Sequence, residues 1–109
     1  MPRSHAALLK QLQALAQDAI QGTLVEVMMR CGTRTCGCHK DPNRRHGPHL
    51  YLKFRGASGK STSMYVPRRK EREIRKAVEA WSQMWEAMVE LSHRNREALR
   101  KQLRQDKQR

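Results

Sequence analysis

Aromatic residues, acids and long apolar runs are all scarce in this chain, and each shortage excludes something. Aromatics make up 5 % of the 109 residues, so the core must be thin. A chain of this size buries a modest share of its surface and tends to need a metal, a disulfide or a partner. No run approaches the about 18 consecutive apolar residues of a membrane helix, and no charged-then-apolar leader opens the chain. A cytoplasmic protein with no membrane partner is expected. Asp18, Glu26 and Asp41 stand alone, while Glu79, Glu86 and Glu90 read as solvated or paired charges on a helix. No carboxylate pair offers acid–base chemistry. Gly56-Ala-Ser-Gly59-Lys60-Ser61 imitates a phosphate loop, but the required first glycine falls on Phe54 and no helix follows. These absences argue against an enzyme and against a small-molecule substrate.

Lys and Arg, by contrast, number 23 against 10 Asp and Glu, a net charge of +13. Residues 1–29 are neutral overall. Residues 30–60 carry eight cations against Asp41 alone, and residues 61–109 carry thirteen against seven acids. Half the excess therefore sits on the short segment that also holds all three cysteines. Clustered basic charge of this density is the electrostatic footprint of a polyanion binder.

The periodicity predicts an α+β domain spanning 1–109: an N-terminal helix (1–22), a small three-stranded antiparallel sheet with a zinc knuckle (23–66), and a long basic helix with a frayed end (67–109). Ser4 is placed to cap the first helix, predicted over Ser4–Gln21 with Leu8, Leu9, Leu12, Leu15 and Ile20 at helical spacing and Gly22 as its stop. Leu24–Arg30 is the first strand candidate. In His49–Arg55, Leu50, Leu52 and Phe54 alternate with Tyr51, Lys53 and Arg55, a period-two strand. Lys60–Val66 returns as its hairpin partner across the Gly56–Gly59 turn. Pro67 then opens a helix with no Gly or Pro as far as Gln108.

That helix has a basic start, a middle (77–93) without Lys or Arg, and a basic end. Ile74, Val78, Trp81, Met84, Trp85, Met88 and Leu91 form an apolar heptad stripe through the middle. The first helix is about 27 Å long and too short to cover all of it. A homodimer or another helical protein partner is expected on the remainder.

Cys31-Gly-Thr-Arg-Thr-Cys36-Gly-Cys38-His39 followed by His46-Gly47-Pro48-His49 carries the strongest signal. Three cysteines in eight residues point to metal in a reducing compartment. Zinc takes four ligands tetrahedrally from thiolate and imidazole. Cys31, Cys36, Cys38 and His46 are the expected set, with His49 or His39 as alternatives for the fourth place. A site closed by four protein ligands leaves no position for activated water, so structural Zn²⁺ is expected.

The motif CGTRTCGCH…HGPHLYL…GKSTSMYVP resembles a family of short, basic prokaryotic proteins of unknown function, often encoded near mobile elements or their recombinases. The resemblance covers about residues 22–92, includes Cys31, Cys36, Cys38, His46, Gly47, Pro48, Tyr51 and Pro67, and departs at His49, where an aromatic is expected. It implies a zinc-knuckle module and no specific activity.

From charge and motif together, duplex-DNA binding is the leading expectation, as an accessory to a transposase or recombinase and hence nucleoid-associated. The expected contacts are Arg30, Arg34, Lys40, Arg44, Arg45, Lys53, Arg55, Lys60, Arg68, Arg69, Lys70, Arg72, Arg75 and Lys76. RNA or single-strand binding, with Tyr51 and Tyr65 stacking bases, is the second expectation. An adaptor docking through Trp81, Met84, Trp85 and Met88 is the third.

Overall fold

Ser4 caps the first helix as its position predicts: its backbone is extended and its hydroxyl accepts the Ala7 N–H at 3.1 Å. The computed structural model of the chain describes residues 3–107; Gln108 and Arg109 of the basic end lie outside them. Helix α1 spans His5–Ala16 and stops well short of Gln21. Its last turn has no basic residue to complement the carbonyl end, and Asp18 would place a negative charge there. Gly22 accordingly serves packing and not helix termination. With φ at +154°, a Cβ there would sit 2.7 Å from Leu52 Cδ1 and 2.8 Å from the Lys53 carbonyl oxygen.

Strands β1 (Thr23–Met29), β2 (His46–Arg55) and β3 (Ser61–Val66) form one antiparallel sheet in the order β1-β2-β3. Register follows the apolar pattern, with Leu24 opposite Leu52 and Leu50 opposite Val66. Gly56 and Gly59 close the β2–β3 turn, where Gly56 N–H donates to the Lys60 carbonyl at 2.9 Å. The supposed phosphate loop is thus a hairpin turn. β2 begins three residues earlier than the alternation suggests, so His46 is its first residue, opposite Met29.

After Pro67, a 3₁₀ turn over Arg68–Lys70 leads into helix α2, Glu71–Lys107, 37 residues long and about 56 Å. The described residues make two compact units, 20–78 and the combination of 3–19 with 79–107, and α2 contributes to both. In the first, Leu50, Leu52 and Val66 are buried, with Leu24, Phe54, Ile74 and Val78 packed against them. In the second, Leu8 packs with Ala87 and Leu91, and Leu12 lies alongside. Each core is small, as the composition requires.

The predicted stripe on α2 is therefore divided. Ile74 and Val78 belong to the sheet core and Leu91 to the helical core, Met84 is half-buried, and Trp81, Trp85 and Met88 remain outside. Ala87, which the heptad reading did not single out, is nearly inaccessible.

Candidate metal centre and basic sheet face

The end of β1 and the start of β2 bracket residues 30–45, and the sheet pairing of Met29 with His46 brings the two ends of this loop together. Between them the chain makes two 3₁₀ turns, Gly37–His39 and Pro42–Arg44. Asp41 starts the second by accepting the Asn43 N–H at 3.0 Å. Gly37 leaves room for the Arg44 side chain, whose Nη1 and Cζ would lie 2.6 and 2.7 Å from a Cβ there. The Arg44 guanidinium lies next to Gly37.

This loop brings Cys31, Cys36, Cys38 and His46 into one cluster whose ligand atoms all lie within 4.8 Å of one another. Cys38 Sγ is 3.6 Å from Cys31 Sγ, and Cys36 Sγ is 3.3 Å from His46 Nε2. Metal–sulfur bonds of about 2.3 Å at tetrahedral angles separate two sulfurs by about 3.8 Å. These two separations are close to those a tetrahedral ion would set, and the rest of the cluster lies within 4.8 Å. His39 is otherwise engaged, its Nε2 lying 2.9 Å from the Cys31 carbonyl oxygen. His49 points its ring edge-on to Tyr65, centroids 6.4 Å apart. Among the three histidines near the cysteines, only His46 joins the cluster.

The electrostatics of the cluster suit a cation. The Cys38 backbone N–H, helped by His46 and the neighbouring thiols, lowers the Cys36 thiol to about 6. At Cys38 the Cys31 N–H donates to the sulfur at 3.3 Å, yet burial and the adjacent thiols together push its pKa up. One sulfur ionises readily, and the buried one resists a second negative charge unless a positive charge arrives with it.

The outward face of the sheet carries a different chemistry. Tyr51 and Tyr65 meet edge to face with centroids 5.8 Å apart, and His49 extends the row. Lys53 faces Ser63 and Arg55 faces Ser61 across the strands. Lys53, Arg55 and those serines line a shallow depression of about 310 Å³ with Gln21, Phe54 and Thr62.

The expected polyanion contacts separate into two groups. Arg30, Arg34, Lys40, Arg44, Lys53, Arg55, Lys60, Arg69, Arg72 and Lys76 are exposed and have no carboxylate partner among the described residues. Arg68, Lys70 and Arg75 are engaged. Arg68 donates to Glu71 at 2.7 Å and to the Pro48 carbonyl at 2.9 Å, and it reaches Glu26 at 3.6 Å. Arg75 holds the other Glu71 oxygen at 2.8 Å, and Lys70 pairs with Glu73 at 3.2 Å. Arg75 and then Arg68 keep the Glu71 carboxyl below its usual range, and Glu71 in turn raises the Arg68 pKa. Arg68 thereby ties both β1 and β2 to the start of α2, a role that charge counting does not detect. Arg45 is half-buried, and its Nε has no hydrogen-bond partner among the described residues.

The chain belongs to a protein family described as a domain of unknown function (DUF6788), whose model matches residues 1–76. The match takes in α1, the whole sheet and all four clustered ligands, and it ends two turns into α2. The resemblance expected over 22–92 thus begins earlier and stops sooner. No curated protein and no solved structure is detectably similar. No helix of the described residues is long and apolar enough to cross a membrane.

Proposed function

We propose that Cys31, Cys36, Cys38 and His46 hold one structural Zn²⁺ and that the module so fixed grips nucleic acid, duplex DNA in preference. The observation that carries the metal reading is the convergence of three sulfurs and one imidazole nitrogen within 4.8 Å. A donor set of this softness favours zinc among common divalent ions. Four protein ligands complete its coordination and leave no open position for chemistry. Three thiolates and Zn²⁺ sum to about −1, a small offset against the eight cations of residues 30–60.

The nucleic-acid reading rests on unpaired cations at both ends of β2. Lys53 and Arg55 project from a rigid strand, with Lys60 at the adjoining turn and Arg30, Arg34 and Lys40 beside the cysteines. Cations held on ordered backbone contact phosphates without the cost of ordering a flexible segment during binding. An accessory role beside a transposase or recombinase rests on the family resemblance alone. A second reading, single-stranded DNA or RNA, is favoured by the Tyr51–Tyr65–His49 row, which offers ring faces to unstacked bases.

The deciding experiment titrates zinc-loaded protein against duplex DNA, single-stranded DNA and RNA at several salt concentrations. Duplex preference with a steep salt slope supports the leading reading. Single-strand preference that is lost in Tyr51→Ala supports the second. Weak, salt-insensitive binding to all three overturns both.

A further inference from the structure

Helix α2 carries a second apolar stripe, distinct from the face that packs on α1. Trp81, Trp85, Met88, Leu99 and Leu103 are all exposed, Trp85 by 60 % and the two leucines by 52 and 54 %. At 3.6 residues per turn these five positions fall within an arc of about 60°, roughly a third of a turn from Ala87 and Leu91, and they run about 33 Å along the axis. Ser92 lies at the centre of the arc. Beside it opens a depression of about 330 Å³ lined by Trp85, Met88, Val89, Ser92 and Arg96.

Area and charge together identify the occupant. The exposed apolar surface is on the order of 500 Å² per chain, at the upper end of what a monomer shows. Two such faces would bury about 1,000 Å², the lower bound for a specific interface. Glu79, Glu86 and Glu90 lie about 130–170° around the helix from this stripe, whereas Arg96 and Arg100 flank it. Residues 94–104 carry five cations against Glu97. A parallel pair would stack basic on basic. An antiparallel pair centred on Ser92 instead moves Arg96 and Arg100 about 12 and 24 Å along the axis from their copies, and flanking charge of this kind selects helix orientation. The same register sets Trp81 opposite Leu103 and Trp85 opposite Leu99, and it lays the Arg96 stem over Met88.

We propose that the chain pairs with a second copy of itself through this stripe, as an antiparallel homodimer centred on Ser92. The pairing is independent of the metal and nucleic-acid readings, since every residue in it lies on α2 beyond the sheet unit.

Sedimentation equilibrium of the full zinc-loaded chain, without nucleic acid, tests it at micromolar concentrations. Twice the chain mass is expected. Trp85→Glu and its counterpart Leu99→Glu should each weaken association by more than about 30-fold, with helical circular dichroism retained because both positions are exposed. Under mild oxidation, Ser92→Cys should cross-link to itself well above the wild-type level, and Leu103→Cys should not. A single-chain mass at every concentration overturns the proposal. So does undiminished pairing of both glutamate variants, and self-cross-linking of Leu103→Cys as ready as that of Ser92→Cys overturns the antiparallel register.

Discussion

Neutralising the sheet's exposed cations should flatten the salt dependence of DNA binding by a calculable amount. Lys53, Arg55 and Lys60 lie on one strand and its turn, exposed and without acidic partners among the described residues. Each phosphate contact adds about 0.9 to the slope of log K against log salt. The triple variant Lys53→Ala/Arg55→Ala/Lys60→Ala should therefore lose about 2.7 from that slope. Between 50 and 200 mM salt, the wild-type affinity would then fall about 40-fold further than the variant's. Fluorescence anisotropy on two unrelated duplexes of equal length provides the measurement, and the change should be the same on both. Arg68→Ala is the control, because its guanidinium is spent on Glu71 and the Pro48 carbonyl. That substitution should change the slope by less than one contact while lowering the melting temperature. A triple variant with the wild-type slope, or an Arg68→Ala slope reduced as far as the triple's, would refute this assignment of the binding face. Arg45 is a poorer probe, since it is half-buried.

Three further outcomes follow from the metal centre and the sheet. His46→Ala should reduce bound zinc below one equivalent under competition with a chromogenic chelator, whereas His49→Ala should keep it; the reverse would move the fourth ligand to His49. In metal-free protein, alkylation of Cys36 should rise through pH 6, with Cys38 lagging, as mass mapping of the modified peptides would show. A thiol lowered from 9.0 to about 6 stabilises the fold fully above pH 9, and that contribution is gone once the pH has fallen through about 6. Metal-free protein should therefore lose the Cys36 contribution on acidification, and simultaneous modification of Cys36 and Cys38 across the range would contradict this. Gly22→Ala should cost about 2–4 kcal/mol in urea unfolding, from positive φ and overpacking against Leu52; a loss under about 0.5 kcal/mol would show that β2 can yield there.

Much of this protein was determined by sequence alone, wherever the relevant physics is local. The alternation in 49–55 specifies a strand with Leu50 and Leu52 inward, because side chains alternate across any strand. Ser4 caps α1 through a bond to a residue three positions on. Three cysteines in eight residues must converge within one loop, whatever surrounds them. The tertiary structure decided the choices among near equals. His39, His46 and His49 are all close enough in sequence, and only the pairing of Met29 with His46 delivers one of them to the cysteines while Cys31 and Tyr65 occupy the others. Gly22 reads as a helix stop until Leu52 is seen packed against it. One continuous apolar pattern on α2 becomes three surfaces, because the sheet takes Ile74 and Val78, α1 takes Ala87 and Leu91, and Trp81, Trp85 and Met88 face outward. Likewise a run of basic residues divides into ion-paired and unpaired members only where Glu71 and the Pro48 carbonyl come within reach of Arg68. Periodicity records which residues seek burial or a counter-charge, and the partner that meets each is set by chain segments distant in sequence.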